Sequence, residues 1–387
     1  MNIEMHNTLS TRRTFLKVGT GGLMALGAGG ILAACGSSSS SSTSSSTTAK
    51  VGGEFYIYTY EGYDLMKPFA GWRKQVGIDQ KNKFIAGGED IAVVIKSPAG
   101  KKIDASSVNQ AFNSYWGRLG LLSDISVDEV PGLADMYPFF RDSPIWKNPN
   151  GTYNSIPWTW GAVALNYAKG KPKPGSWNDL LDPSLKGRVS TLDDAYNNVS
   201  IAAIALGLDL THITPDQLNG PIKDWLMRLK ANVKTFAGSI GDQVNLLAGG
   251  EVDYMSVGLS LIDVLAKDKK ADVEFTVPKE GGFGYVDALF IPPTAPNRQN
   301  AIAFAKQLMT PKPNGVANSS VLGGTPLPDA VQYLDANAKS LYPYDNLDPY
   351  LTDELHFDVN YFPTDDQKGD IVTFDDVNKV WAEVKAS

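Results

Sequence analysis

Apolar residues are spaced in two ways between Lys50 and the C-terminus, and each spacing predicts one kind of element. Intervals of three and four residues are typical of helices. Three stretches show them clearly, with predicted buried sets Ile222, Trp225, Leu226 and Leu229; Ala301, Phe304, Ala305 and Leu308; and Val377, Val380, Trp381 and Val384. Short apolar runs predict strands at 54–58, 156–165, 188–192, 252–257, 273–277 and 285–292. Strands that alternate with helices indicate an α/β architecture.

Residues that favour helix starts predict where several helices begin. Thr214, Pro215 and Gln217 fit an N-cap, a first-turn proline and a capping box. Three further caps are expected at Asp64, for a helix to about residue 76, and at Asn297 and Asp375. The apolar run within 89–97 fits a helix and a strand equally well.

The first 35 residues differ in pattern from the rest and predict an export signal. Residues 10–17 (STRRTFLK) resemble a twin-arginine motif, and the uncharged stretch 18–34 suits the apolar region of a signal peptide. Residues 32–35 (LAAC) resemble a lipobox, in which Cys35 would be lipidated. We therefore expect a signal peptide at 1–35 and a lipid anchor at Cys35, with the protein in the periplasm or on the outer face of the cytoplasmic membrane.

Residues 36–50 are rich in Ser and Thr, cannot form a core and predict a flexible tether. A dozen such residues would reach roughly 20 Å on average. Cys35 is the single cysteine of the chain, so a disulfide within the chain and a cysteine-based metal site are both excluded. We expect no cofactor and no metal.

Charge and histidine content narrow the classes of function. The 387-residue chain has a net charge of −7, and the part after Cys35 carries about −9. An acidic body argues against nucleic acid and mildly favours a cationic ligand. The three histidines are isolated, and neither HExxH nor GxSxG occurs. An exported hydrolase that uses only carboxylates, such as Asp193-Asp194 or Asp365-Asp366, stays open as an alternative.

Ten segments of the body resemble, in the same order, the spermidine/putrescine-binding proteins of bacterial ABC importers. These segments are 58–63 (YTYEGY), 155–162 (SIPWTWGA), 176–180 (SWNDL), 185–187 (LKG), 193–195 (DDA), 250–252 (GEV), 278–282 (PKEGG), 285–288 (YVDA), 291–292 (IP) and 323–326 (GGTP). The resemblance covers most of the chain after Lys50 and is weakest between 77 and 107.

The resemblance implies a two-lobed α/β periplasmic-binding-protein fold, similar to type II, that closes around a solute. Lobe one would hold 51–158 and 288–330, and lobe two 159–287 and 331–387, with hinge strands near 157–161 and 287–291. The implied role is a solute-binding lipoprotein, not an enzyme, that works as a monomer and delivers polyamines to ABC permease subunits. A receptor for another cationic, amino-acid-derived, opine-like or sugar-like solute, and a signalling or adhesion lipoprotein, remain alternatives.

The resemblance also implies six ligand-binding residues, namely Tyr60, Tyr63, Asn109, Asp194, Tyr285 and Asp287. Carboxylates would pair with ammonium groups, and aromatic faces would cover methylenes and attract the cations. Tyr285 and Asp287 are two residues apart on a predicted strand and so share a face. Structural roles stay open: Asp194 as a helix cap, Asp287 as a hinge residue bonded to backbone N–H groups, and the tyrosines as core or surface residues.

Three positions depart from the family pattern. Gly258 and Gly324 stand where the family has aromatic residues, and Asn197 stands where it has a carboxylate. These departures change the expected lining of the solute site and leave the fold and the transport role unaffected.

Overall fold

The structure is a computed structural model that describes residues 50–85, 88–357 and 369–387. The predicted export motif, Cys35 and residues 36–49 of the tether lie outside the described residues. Asp365 and Asp366 also lie outside them. Of the helices in the described ranges, none combines the length and the apolar character that crossing a membrane requires.

The described residues form strands and helices that alternate along much of the chain. The strands are β1 (Gly53–Thr59), β2 (Ile78–Phe84), β3 (Ala105–Asn109), β4 (Ile156–Ala168), β5 (Val189–Leu192), β6 (Val233–Ala237), β7 (Tyr254–Leu259), β8 (Val273–Thr276), β9 (Gly282–Phe290) and β10 (Leu355–His356). The helices are α1 (Ala70–Val76), α2 (Gly88–Lys96), α3 (Asn113–Arg118), α4 (Pro138–Arg141), α5 (Ala195–Ala205), α6 (Pro215–Gln217), α7 (Lys223–Lys230), α8 (Ile240–Ala248), α9 (Ile262–Asp268), α10 (Arg298–Leu308), α11 (Pro311–Val321), α12 (Ala336–Ser340), α13 (Leu347–Pro349) and α14 (Phe374–Ala386).

Two long antiparallel strands, β4 and β9, connect the two halves of one sheet. The strand order is β2-β1-β3-β9-β4-β7-β5-β6, with β10 beside β9 and β8 beside β4. β1, β2 and β3 pair in parallel, and β3 then pairs with the last residues of β9. On the other side, the last residues of β4 pair with β7, which is parallel to β5. The crossing strands predicted from the resemblance are therefore present, and the two-lobed α/β prediction is confirmed.

The hydrophobic interior is divided along β4 and β9. The first core contains buried residues of β1, the start of β4, the end of β9, α10 and α11, including Phe55, Trp158 and Phe304. The second core contains residues of the end of β4, α5, α7 and α14, including Leu165 and Trp225. Tyr342, Tyr350 and Phe357 pack in the first core, whereas α14 packs in the second. The exact lobe ranges stay a prediction.

The predicted helix start at Thr214 is confirmed. The Thr214 side chain accepts a hydrogen bond from the Gln217 N–H, and the Gln217 side chain accepts one from the Thr214 N–H. The three predicted inward-facing sets on α7, α10 and α14, with Ile222 just before α7, are all buried. The ambiguous run at 89–97 is resolved as helix, since α2 covers most of it.

Two of the other predicted caps are wrong, and a third is only partly right. Leu65 has a left-handed backbone (φ 53°), so a helix cannot begin at Asp64, and α1 starts later. The capping box of α14 uses Thr373 and Asp376, and Asp375 lies inside the helix. Asn297 occupies the N-cap position of α10, but its side chain donates to Asp104 (Nδ2–Oδ2 3.1 Å) and does not cap the helix.

Candidate functional site

A cavity of about 580 Å³ lies beside the crossing strands, and all six predicted ligand residues line it. Tyr60 and Tyr63 come from the loop after β1, and Asn109 from the end of β3. Tyr285 and Asp287 come from β9, and Asp194 immediately precedes α5. The structure therefore brings residues more than 200 positions apart in the sequence into one cavity.

Asp287 is the most deeply buried acidic residue of this cavity, with 4% of its surface exposed. Tyr63 donates a hydrogen bond from its hydroxyl to Asp287 Oδ2 (2.9 Å). Among the described residues, no lysine or arginine forms an ion pair with this carboxylate. Burial raises the pKa of Asp287 to about 7, and the Tyr63 hydrogen bond opposes this shift in part. The site thus holds a buried carboxylate that a bound cation could neutralise.

The Tyr63 hydroxyl is held in place by contacts between aromatic rings. The Tyr63 ring makes edge contacts with Trp158 and Tyr60, at centroid distances of 5.2 Å and 5.9 Å. Trp158 is fixed in turn, because its indole N–H donates to Ser107 Oγ (2.7 Å). Burial, with a smaller effect of the Asp287 charge, raises the pKa of Tyr63 well above its usual value, so Tyr63 remains a neutral donor.

The Tyr285 ring fits the sheet because its neighbour across the strands has no side chain. Gly161 on β4 pairs with Tyr285 on β9, and a Cβ on Gly161 would lie 2.3 Å from the Tyr285 ring. Any other residue at position 161 would displace the ring. Burial raises the pKa of Tyr285 well above its usual value, so this ring also stays neutral.

Asn109 lies directly opposite Asp287 in the β3–β9 pairing, and their side chains therefore share a face of the sheet. Asn109 Oδ1 accepts from the Ala111 N–H (2.9 Å), which caps a short 3₁₀ helix over Gln110–Phe112. Gln110 points to the other side and bonds to the β9 backbone at Gly284 and Val286. The local structure thus uses the Asn109 oxygen as a cap.

The two acidic residues before α5 have partners within the protein. Asp194 is the N-cap of α5, and its Oδ1 accepts from the Asn197 N–H (2.7 Å). The capping role that the sequence left open is therefore confirmed. Asp193 pairs with Lys385 Nζ (2.6 Å) and accepts from the Trp381 indole N–H (2.8 Å). Burial raises the pKa of Asp194, and hydrogen bonds from Asn197 and Tyr196 oppose that change.

Sequence reasoning missed several apolar residues of the cavity. They are Ala111, Phe112, Val163, Ala195, Tyr196, Leu259, Leu261, Phe283 and Phe374. Tyr196 lies two residues after the predicted ligand residue Asp194, and this closeness in the sequence could have identified it as part of the cavity. Phe374 has no such neighbour and reaches the cavity because α14 packs on α5. In the described ranges, no cluster of three or more His, Cys, Asp or Glu residues could hold a metal ion.

The comparisons with known proteins agree with this architecture. A family model described as bacterial extracellular solute-binding protein matches residues 74–341. A spermidine/putrescine-binding periplasmic protein of Haemophilus influenzae is 26% identical over 275 residues, which are 70% of this chain and 74% of that protein. A putrescine-binding periplasmic protein of Escherichia coli is 23% identical over 348 residues, which are 82% of this chain and 85% of that protein.

A solved structure shows that the fold is shared. The spermidine/putrescine ABC transporter substrate-binding protein of Streptococcus pneumoniae superposes with a TM-score of 0.71 at 20% identity. The superposition covers 86% of this chain and 98% of that one. These relatives are solute-binding proteins, which capture their ligands without converting them.

Proposed function

Because this chain belongs to the bacterial extracellular solute-binding proteins, we propose that it captures a polyamine such as putrescine or spermidine for an ABC importer. The proposed ligand residues are Tyr60, Tyr63, Asn109, Asp194, Tyr285 and Asp287. The similar proteins of Haemophilus influenzae and Escherichia coli are named for putrescine or for both of these polyamines, which supports the proposal.

The observation that carries the proposal is the Asp287 carboxylate. It is buried at the cavity, and its hydrogen-bond donor, Tyr63, is uncharged. A buried carboxylate without a cation costs several kcal/mol relative to water, so the site favours a ligand that brings a positive charge. An ammonium group is such a ligand, whereas a neutral sugar leaves the charge unpaired.

The aromatic lining supports a ligand that combines charge with a carbon chain. Tyr60, Tyr63 and Tyr285 line the cavity together with Asp287, and Tyr63 contacts the carboxylate directly. Each cation–π contact contributes about 0.5–2 kcal/mol, and the ring faces also cover methylene groups. A polyamine has both features, because its ammonium groups are separated by short methylene chains.

The proposed mechanism uses β4 and β9 as hinge strands. The ligand enters between the lobes, pairs with Asp287 and stabilises the closed arrangement, which then docks on membrane permease subunits. A ligand shifts an open–closed equilibrium only if it binds the closed form more tightly. A bound cation meets this condition when residues from both sides of the cavity contact it in the closed form.

Export is a property of the family, and the lipid anchor is part of the proposal. We expect cleavage before Cys35 and lipidation of its thiol, with 36–50 acting as a tether and the protein as a monomer. The wild-type protein should incorporate labelled fatty acid, and Cys35→Ser should not. A wild-type protein without the label would overturn the anchor.

The proposal is tested by thermal unfolding of the segment Ala49–Ser387, which forms one compact unit. The ligand panel contains putrescine, spermidine, lysine, arginine and neutral sugars. A ligand at a hundred times its dissociation constant stabilises the folded state by about 2.7 kcal/mol, which moves the midpoint by several degrees. We expect the polyamines to raise the midpoint and the neutral solutes to leave it unchanged.

Two variants serve as a matched pair in the same assay. Asp287→Asn removes the buried charge, whereas Asp272→Asn removes an exposed carboxylate that does not line the cavity. The polyamine shift should disappear in the first variant and persist in the second. A shift with basic amino acids alone would keep the receptor role and replace the polyamine as ligand.

A further inference from the structure

Two positions that would carry aromatic residues in the polyamine-binding pattern have no room for them here. A Cβ on Gly258 would lie 2.3 Å from Asn166 Oδ1, and one on Gly324 would lie 2.3 Å from Trp160 Cε2. Both neighbours are fully buried. The cavity therefore needs another source of apolar cover for a carbon chain.

Tyr196 and Phe374 supply aromatic surface to the cavity in addition to Tyr60 and Tyr63. Tyr196 lies in the first turn of α5, and Phe374 is the first residue of α14. Both side chains are half-buried and line the cavity. The Tyr196 ring also contacts Phe283 of β9 edge-on, with the ring centroids 5.7 Å apart.

These two side chains pack against apolar residues from both halves of the sheet. They pack on the second core and also on an outer cluster that contains Tyr58, Phe112, Trp116 and Phe290. Phe112 lies just before α3 and also lines the cavity. Tyr196 and Phe374 thus line the cavity where elements that are distant in the sequence meet.

We propose that Tyr196 and Phe374 are specificity-determining residues that cover the methylene chain of the bound cation. This inference rests on the proposed function and assigns the recognition of ligand length to this aromatic pair. Asp287, on β9, pairs with one ammonium group, and the rings of Tyr196 and Phe374 then lie along the carbon chain.

The proposal predicts a dependence on ligand length. Each methylene group that leaves water contributes about fourfold to affinity. In the wild-type protein, the affinity should increase from 1,3-diaminopropane to putrescine to cadaverine, because the rings cover more methylene groups. In a variant without one of the rings, the loss relative to wild type should grow with each methylene, by up to about fourfold.

The experiment measures these three affinities calorimetrically with Ala49–Ser387 and its variants. We expect Phe374→Ala and Tyr196→Ala each to weaken putrescine binding about tenfold or more, with a larger loss for cadaverine. Phe236→Ala is the matched control, because this half-buried ring packs on Trp381 of the second core and does not line the cavity. It should bind within about twofold of wild type.

Milder variants keep the experiment informative if the alanine variants do not fold. Tyr196→Phe keeps the ring and should retain most of the affinity, and Phe374→Leu should show a smaller loss in the same direction as Phe374→Ala. Folded Ala variants, or a folded Phe374→Leu, that bind all three diamines as wild type does would overturn the aromatic pair and leave the proposed function intact. A wild-type protein that binds neither the three diamines nor spermidine would overturn both.

Discussion

Asp287 on β9 and Asp194 before α5 line the same cavity, but their carboxylates have different partners. Asp287 accepts a hydrogen bond from a neutral tyrosine and is almost completely buried. Asp194 accepts from the backbone N–H of Asn197 at the positive end of a helix, and its neighbour Asp193 pairs with Lys385. On the α5 side the protein therefore supplies a backbone donor to Asp194 and a cation to Asp193, whereas the Asp287 carboxylate on β9 has a neutral tyrosine as its donor.

The difference shows that two carboxylates that line one cavity can have different structural roles. An acidic side chain that caps a helix contributes to folding whether or not a ligand is present. A buried carboxylate without a cationic partner makes the ligand-free protein less stable. The same carboxylate makes the free energy of cation binding more favourable. Binding and stability should therefore respond in opposite ways to changes at Asp287 and at Asp194.

The largest effect is expected for ligand affinity. Asp287→Ala removes the charge that pairs with the ammonium group and should weaken polyamine binding by about 2–5 kcal/mol. Asp194→Asn keeps a capping oxygen and should change binding by less than about 1 kcal/mol. Calorimetric titration measures both. Equal losses in the two variants would show that the two carboxylates contribute alike.

The next effect concerns the stability of the ligand-free protein. Burial raises the pKa of Asp287 from 3.8 to about 7, so between these values the folded state holds a proton that the unfolded chain has lost. Stability should therefore fall as pH rises through this window, and Asp287 accounts for about 2–4 kcal/mol of that fall. Denaturant unfolding of wild type and Asp287→Asn at pH 4.5 and pH 8 measures this.

Relative to wild type, the Asn variant should gain stability on going from pH 4.5 to pH 8. A difference between the two proteins that does not change with pH would contradict the raised pKa.

A smaller effect separates the cap from the ligand site. Asp194→Ala removes the oxygen that accepts from Asn197 and should lower the free energy of unfolding by about 1 kcal/mol, whereas Asp194→Asn should be nearly neutral. Chemical denaturation without ligand measures both. Identical stability of the Ala variant and wild type would show that the cap contributes nothing.

The smallest effect is expected at Asp193. Its pairing with Lys385 is partly exposed to solvent, with 38% and 33% of the two side chains accessible. Exposed ion pairs contribute about 0–1 kcal/mol. Asp193→Asn keeps an acceptor for the Trp381 N–H and should change both stability and polyamine affinity by less than about 1 kcal/mol. A loss as large as that of Asp287→Ala would place Asp193 among the ligand residues.

Local signals in the sequence predicted elements where the deciding interactions are themselves local. The capping box from Thr214 to Gln217 closes within one turn, and the apolar faces of α10 and α14 follow from helical periodicity. The same reasoning failed at Asp64, because the left-handed backbone of Leu65 cannot be read from composition. It also failed at Asp375, because Thr373 and Asp376 form the competing box.

The candidate site was predictable to the extent that its residues lie in ordered motifs. Asp287 and Tyr285 share one strand, and Tyr60 and Tyr63 share one loop, so a resemblance identifies each pair together. Phe374 could not be found in this way, because its place in the cavity depends on α14 packing against α5 across nearly 180 residues of sequence. The steric limits at Gly258 and Gly324 likewise depend on Asn166 and Trp160, which only the fold brings close.

The most direct test of cation capture by Asp287 is the affinity of putrescine for Ala49–Ser387 measured between pH 5.5 and pH 8.5. Putrescine keeps its charge over this range, so a change in affinity reports on the protein. With the pKa of Asp287 near 7, affinity should rise by up to about tenfold per pH unit below 7 and level off above it. In Asp287→Asn, binding should be weak and independent of pH. Tight binding that is independent of pH, or that persists in Asp287→Asn, would contradict cation capture by Asp287.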